Sequence, residues 1–191
     1  MPLKAGTPGL QLNADGTAAT MVTLTTWTGY ADSVGNPMTL TREVWLTPAP
    51  QLKDFCTAYV AQTGGADPGL RMLQYLGMPP QQSSLTVATM MVPLDDMFRP
   101  APDPRIDTTG SVFADPASLP ANPAYPNYAD WYRLQKALAY DPGNPYPWTG
   151  LGWTYDWGDP DHHVGASEYV VRQGSTVEVL AAQTPMDYCT S

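Results

Sequence analysis

Runs of alternating or continuous apolar residues predict five strands along the chain. Residues 18–30 and 38–47 are rich in Thr and β-branched residues and alternate in polarity, so the two segments predict a hairpin. Residues 84–94 are apolar at nearly every position, which predicts a central strand covered on both faces. Residues 167–172 and 175–181 flank a tight turn containing Gly and predict a second hairpin.

Helical periodicity and capping residues predict about three helices between these strands. Thr47-Pro48 opens the first helix as an N-cap followed by proline, and Gly64-Gly65 ends it. Asp67-Pro68 opens a shorter helix that stops at Gly77, and a third helix spans residues 128–140. This order of elements predicts an α+β fold with a mostly antiparallel sheet.

Two segments lack a periodic pattern. Residues 1–17 predict an extended N-terminal segment. Residues 93–126 hold eight prolines among several aromatic and apolar side chains, which predicts a long loop held against the surface. Within that loop, residues 95–98 predict a single helical turn. With no internal repeat, we interpret residues 1–191 as one domain.

Composition limits the partners and suggests a compartment. Eighteen acidic residues against nine basic ones give a net charge of −9, so the chain lacks the basic stripe that nucleic acid requires. The apolar runs are far shorter than the ~20 residues of a membrane span. Few Lys and many Thr, Pro, Tyr and Trp favour a periplasmic or secreted location, with a signal peptide absent from this sequence.

The two cysteines, Cys56 and Cys189, allow one disulfide. It would join the first predicted helix to the C-terminal tail and stabilise an exported protein. The alternative is a buried thiol at 56 and an exposed thiol at 189.

The segment 146–171 carries most of the candidate chemistry. It holds three of the six Trp, both His, four acidic residues and four Gly. Glycine lets backbone approach a ligand, while Trp and Tyr supply a large contact area with a polar edge. We therefore predict a ligand-binding cleft formed by residues 146–168 and the proline-rich loop. The alternative is that these rings are core packing residues.

Six residues are the predicted ligand-binding set. Aromatic rings stack on sugars, bases or cations, and an Arg beside rigid backbone suits an anionic group. The Arg has the alternative of an internal salt bridge that holds the long loop. The set is Arg99, Trp148, Trp153, Tyr155, Asp156 and Trp157.

Titratable residues of the same segment are the candidates for catalysis or metal binding. Glu168 at the start of a strand could be a carboxylate at the rim of the cleft, with His162 or His163 as its acid/base partner; its alternative is an exposed edge position. Asp156, Asp159 and Asp161 are weak metal candidates, because their spacing also fits a polar turn. No cofactor is predicted, since nucleotide-binding and hydrolase motifs are absent from the sequence.

Two resemblances extend this interpretation. The segments DDMFRPAPDP and YPWTGLGWTYDWG…SEYVV resemble a family of uncharacterised, exported bacterial proteins that carry versions of FRPCPDP and YPWTRLGYTYDWG…SEFVV. The present chain has Ala101 and Gly150 where that family has Cys and Arg. The segment SEYVVRQGSTVEV is similar to the last motif of mono-ADP-ribosyltransferases, in which Glu168 would orient a nicotinamide ribose.

Together these features predict an exported or cell-envelope protein that binds a small molecule or a protein partner in an aromatic and acidic cleft. The alternative is an enzyme that uses Glu168 with His162 or His163 on a nucleotide or glycosidic bond. A third interpretation makes the aromatic segment a core and the surface a partner-binding face. The sequence by itself leaves open whether the protein is an enzyme.

Overall fold

The computed structural model of the chain describes residues 10–108, 114–119, 125–143 and 146–191. Within these ranges the chain has the predicted α+β fold. The strands are β1 (Ala18–Thr25), β2 (Pro37–Thr39), β3 (Val44–Pro48), β4 (Thr86–Pro93), β5 (Met97–Phe98), β6 (Trp153–Tyr155), β7 (Val164–Ser167), β8 (Tyr169–Val171) and β9 (Thr176–Gln183). The helices are α1 (Ala49–Thr63), α2 (Pro68–Tyr75), α3 (Tyr128–Ala139) and α4 (Pro185–Thr190).

The sheet is antiparallel throughout the described residues. Seven strands follow the order β2-β9-β4-β1-β3-β8-β5, and β6 and β7 form a separate two-stranded ribbon. The predicted central strand is confirmed, because β4 lies between β9 and β1 and buries residues on both faces. Its Ala88 and Met90 belong to one core cluster, and its Val87 belongs to the other.

The first predicted hairpin forms only in part, and the second does not form. Residues 38–47 divide into β2, which pairs with β9, and β3, which pairs with β1. Leu40 continues the β2 side of this division, because its backbone N–H donates to Ser175 O at 2.8 Å and its carbonyl accepts from Gly174 N at 2.8 Å. The two C-terminal strands are also apart, because β8 pairs with β3 and β5 whereas β9 pairs with β4 and β2.

The separation of β8 from β9 requires a strongly curved sheet. Three strands lie between them in the sheet order, so four interstrand spacings of about 4.8 Å would separate them by about 19 Å if the sheet were flat. The five residue steps from Val171 to Thr176 span at most ~18 Å, and Gly174 takes a left-handed turn on the way. The sheet therefore curls, and residues of both strands, including Val171 and Val177, share one core cluster.

Helices α1, α2 and α4 cover the face of the sheet that carries Val22 and Val87. Leu52, Cys56 and Met72 are buried there against Val22 and Val87. The disulfide between Cys56 and Cys189 fastens α4 to α1, as predicted, with a Cα–Cα distance of 5.3 Å. Helix α4 itself is not anticipated by the sequence pattern. No helix among the described residues is long and apolar enough to cross a membrane.

The local signals for helix ends are mostly confirmed. Gly64 ends α1 with a φ of 70°, and Asp67 caps α2 by accepting a hydrogen bond from Leu70 N at 3.0 Å. The prediction that Thr47 caps α1 is wrong, because the Thr47 hydroxyl donates instead to the carbonyl oxygen of Ser167 at 3.0 Å.

The proline-rich loop and the N-terminus are described in part. Residues 1–9, 109–113 and 120–124 of these predicted segments lie outside the described residues. Leu12 pairs with Ala19 in an isolated antiparallel bridge. The predicted helical turn at 95–98 is a 3-10 turn at Leu94–Asp96, and strand β5 follows it directly.

Candidate functional site

The ribbon of β6 and β7 fixes the start of the candidate site. Trp153 pairs with Ser167, and Tyr155 pairs with Val164. The ribbon lies against the end of α2, where the Thr154 hydroxyl donates to Tyr75 O at 2.6 Å. A side chain at Gly165 would place its Cβ 2.3 Å from that same carbonyl, so only glycine permits the close approach.

Glu168 occupies the junction between this ribbon and the large sheet. Its backbone N–H donates to Gly152 O at 2.9 Å. The preceding Ser167 is held from two directions, because its N–H donates to Gln51 Oε1 at 3.0 Å and its carbonyl accepts from Thr47 Oγ1 at 3.0 Å. Three neighbouring elements thus hold the backbone from which the Glu168 side chain extends.

A cavity of about 580 Å³ receives the Glu168 side chain. Its walls come from β1, β3, the end of α2, α3 and the start of the aromatic segment. The size is within the range of cavities that hold small organic ligands. Its aromatic lining residues are Trp27, Tyr30, Trp45, Tyr146, Trp148 and Tyr155, and its charged lining residues are Arg42, Glu43 and Glu168.

One carboxyl oxygen of Glu168, Oε2, is buried without a hydrogen-bond partner. The residue as a whole keeps some accessible surface, but its Oε2 atom has essentially none. Burial raises the pKa of Glu168 to about 8, and the Trp148 indole N–H acts in the opposite direction. The contact falls short of hydrogen-bond geometry, so Trp148 Nε1 is also buried and unpartnered. A donor and an acceptor are therefore both unsatisfied at one cavity wall.

Two indoles form a corner of the cavity. The rings of Trp45 and Trp148 are nearly perpendicular, at 87°, with centroids 6.2 Å apart. Trp131 supports both from behind, with centroid distances of 6.1 Å and 6.5 Å. Its indole N–H donates to Glu43 Oε2 at 3.0 Å and holds that carboxylate near the cavity. Both indoles of the corner therefore pack against a third ring, which is itself hydrogen-bonded to Glu43.

A second cavity, of about 460 Å³, lies between the proline-rich loop and the aromatic segment, where the sequence predicts a cleft. Pro102 and Asp115 line it from the loop, and Trp148 and Gly150 line it from the segment. Trp148 thus separates the two cavities. The Asp115 side chain pairs with Arg133 at 3.2 Å, and both are exposed. This second cavity has no buried unpartnered carboxyl among its described lining residues.

The structure distributes the predicted ligand-binding residues over two environments. Trp148 and Tyr155 line the larger cavity together with Glu168. Trp153 and Trp157 lie outside its lining, and the Trp157 indole donates to Met78 O at 3.0 Å. The cavity therefore receives only part of the predicted set.

Arg99 and Asp156 make internal contacts away from the cavity lining. The Arg99 guanidinium is buried and donates to Thr108 O at 2.6 Å and to Gly152 O at 3.3 Å. Asp156 is 3% exposed and receives two hydrogen bonds from Arg71, at 2.8 Å and 2.7 Å. The Arg71 guanidinium also lies 4.7 Å from the Phe55 ring. Both residues hold loops together in this structure.

The predicted catalytic histidines lie apart from Glu168. His162 is exposed, and neither histidine lines the cavity. The His163 ring stacks on Tyr155 at 4.8 Å, and its Nδ1 lies 3.1 Å from Asp156 O. The structure therefore brings no histidine to the Glu168 carboxyl.

The weak metal candidates form a polar turn. Asp159 Oδ1 accepts hydrogen bonds from the backbone of Asp161 and His162, each at 3.0 Å. These bonds lower the pKa of Asp159. Asp156 is occupied by Arg71. Within the described ranges, no three His, Cys, Asp or Glu residues are grouped as a metal site would require.

Most lining residues of the cavity come from outside residues 146–171, and the aromatic or charged ones among them include Trp27, Arg42, Glu43 and Trp45. Two signals could have found them. Trp27 places a large aromatic ring near the end of the predicted strand 18–30, just before the polar turn that follows it. Arg42 and Glu43 place two adjacent charges inside an otherwise alternating strand pattern.

Comparisons of the chain with protein-family models, with curated proteins and with solved structures return no significant match. The resemblances to the exported bacterial family and to mono-ADP-ribosyltransferases therefore stay predictions.

Proposed function

We propose that this protein is a small-molecule-binding domain that works outside the cytoplasm. One observation carries the proposal: Glu168, at the wall of an aromatic cavity of about 580 Å³, has a buried carboxyl oxygen, Oε2, without a hydrogen-bond partner. Burying a polar group without a partner costs free energy, and a ligand that supplies the partner recovers it. Such uncompensated groups are typical of binding sites and rare in ordinary cores.

The proposed location is supported by the cross-link and the composition. Disulfides persist in oxidising compartments and are rare in the cytoplasm. The bond between Cys56 and Cys189 leaves no free cysteine in the chain. Proline and threonine are abundant and lysine is scarce, as in many exported domains.

Tryptophan fluorescence tests the proposal directly, since Trp27, Trp45 and Trp148 line the cavity. A panel of sugars, nucleosides, amines and organic acids would be screened for quenching and for a rise in melting temperature. A ligand that binds in the cavity should quench the fluorescence and raise the melting temperature of the wild type. Both changes should be much smaller in Trp148→Phe. Trp157→Phe is the matched control, because that indole lies outside the cavity lining and should leave binding unchanged. If no compound changes either signal, the proposal fails.

A second candidate function is acid catalysis in the same cavity. The observation that favours it is the pKa of Glu168, raised to about 8, because such a carboxyl holds a proton at neutral pH and could donate it to a leaving group. The test is hydrolysis of aryl glycosides and nucleosides. Glu168→Gln should abolish turnover while ligand binding persists. Turnover that survives in Glu168→Gln would rule out this role.

A further inference from the structure

We infer that the ligand of this cavity carries an organic ammonium group, which lies against the Trp45–Trp148 corner and forms an ion pair with Glu168. The inference rests on the proposed function and specifies its ligand class. It depends on the charges of the cavity, on the orientation of the two indoles and on the unsatisfied pair at the wall.

The acidic groups lining the cavity favour a cation once Glu168 ionises. Glu43 and Arg42 are the other charged lining residues and balance each other while Glu168 is protonated, and Arg42 is exposed at the surface. Glu43 is held in place by the Trp131 indole, so one carboxylate stays fixed near the corner. The whole chain has a net charge of −9, which attracts cations over a longer distance. An anionic ligand would meet repulsion from the net charge of the chain and could not form an ion pair with Glu168.

The two indoles supply complementary surfaces. A cation is attracted to the electron-rich face of an aromatic ring, and two rings at a right angle can contact it from two sides. Trp45 and Trp148 meet at 87°, and Trp131 fixes both. Trp27 and Tyr30 provide further aromatic surface at the cavity wall. Alkylated ammonium groups suit this surface because their charge is spread over methyl or methylene groups.

Ion pairing with the ligand would also satisfy the two orphaned atoms. An ionised Glu168 is a stronger hydrogen-bond acceptor than the neutral acid. It can accept a hydrogen bond from Trp148 Nε1 and at the same time form an ion pair with the ammonium group. Because burial raises the pKa of Glu168 to about 8, the free carboxyl is protonated at neutral pH, and an ion pair between Glu168 and a cation requires release of that proton. A neutral ligand that accepts a hydrogen bond from the protonated acid would release none. The number of protons released on binding therefore distinguishes a cationic ligand from a neutral one.

The test compares choline with 3,3-dimethyl-1-butanol, its uncharged isostere, by titration calorimetry at pH 6.5 in two buffers of different ionisation enthalpy. Choline has no ionisable N–H, so any released proton must come from the protein. We expect choline to bind at least ~10-fold more tightly than the isostere, a ratio that corresponds to about 1.4 kcal/mol. Wild-type protein should release close to one proton per bound choline.

Two variants complete the experiment. Glu168→Gln should lose the preference for choline and the proton release, whereas Glu178→Gln, an exposed acid on β9, should keep both. Equal affinities for the two compounds, or choline binding without proton release, would overturn the inference. If neither compound binds while another member of the fluorescence panel does, the ammonium inference is wrong and the proposed binding function stands. If nothing in the panel binds, both fail.

Discussion

Two acidic residues of the same aromatic segment, Asp156 and Glu168, each have buried carboxyl oxygens but opposite environments. Asp156 receives a bidentate pair of hydrogen bonds from Arg71 and a further bond from Gly158 N at 2.9 Å. Glu168 has an oxygen that is equally inaccessible and has no partner. The first belongs to what we call the closed region, formed by the Arg71–Asp156 pair and the disulfide-linked helices. The second belongs to the open region, the cavity around Glu168, Trp45 and Trp148.

The contrast distinguishes buried charged groups that stabilise the fold from buried polar groups that a ligand could pair with. A buried ion pair with complete hydrogen bonding keeps loops in register, and breaking it leaves an uncompensated charge. A buried carboxyl without a partner lowers stability, and a ligand can reverse that loss. Changes in the closed region should therefore alter stability, and changes in the open region should alter binding and pH dependence.

The largest expected effect comes from the disulfide of the closed region. The bond spans a sequence separation of 133 residues, for which chain entropy predicts about 4–5 kcal/mol of stabilisation. Replacing both Cys56 and Cys189 by Ala should lower the free energy of unfolding in urea by that amount. Reduced wild-type protein is the control and should match the variant. A variant as stable as oxidised wild type would contradict the prediction.

The next effect concerns the ion pair of the closed region. Asp156→Asn leaves Arg71 charged and mostly buried, which should cost about 3 kcal/mol in a urea unfolding experiment. Asp159→Asn is the matched control, because Asp159 lies in an exposed turn and should change stability by less than about 1 kcal/mol. If the two variants lose equal stability, the pair has no special role.

The pH dependence of the open region gives a third test. The pKa of Glu168 is about 8 in the folded protein against an ordinary value of 4.5, so the folded state retains a proton that the unfolded chain releases between these pH values. The stabilisation that this bound proton gives the folded state is complete below pH 4.5. It declines between pH 4.5 and about 8, by about 1.4 kcal/mol per pH unit.

Glu168→Gln removes that proton from both states and keeps the shape of the side chain. Urea unfolding at pH 5.5, 6.5 and 7.5 should therefore show wild type losing stability relative to the variant as the pH increases. Near pH 5.5 the two proteins should be closest in stability. Parallel pH profiles would show that the Glu168 carboxyl is not destabilised by burial, and the contrast with Asp156 would be lost.

The smallest expected effect on stability is at Trp27. Its ring is 48% exposed and meets Tyr30 edge-on, with centroids 4.7 Å apart. Trp27→Ala should cost about 1 kcal/mol of stability, because one aromatic contact is lost. It should nevertheless weaken cavity binding in the fluorescence assay, whereas Trp27→Phe keeps a ring and should retain most of it. Unchanged binding in Trp27→Ala would exclude that wall from the site.

The elements with local signals are the ones that sequence analysis places well. The cap at Asp67, the glycine stop at Gly64 and the apolar run of β4 each depend on neighbouring residues, and each is present in the structure. Strand pairing depends on distant residues, so the first predicted hairpin is correct only for β1 and β3, and the second is wrong. A tight turn at Gln173-Gly174 is compatible with a hairpin, but the curved sheet uses it to cross from β8 to β9.

The site shows the same division. The sequence by itself determined the α+β class, the single possible disulfide, the acidic charge and the segment that contains Glu168, because these follow from composition and local pattern. Only the tertiary structure decided that Asp156 meets Arg71 while Glu168 meets the indoles of Trp45 and Trp148. Burial and the partner of a charged group are set by chain segments far apart in sequence, so two similar acids in one segment acquire different roles.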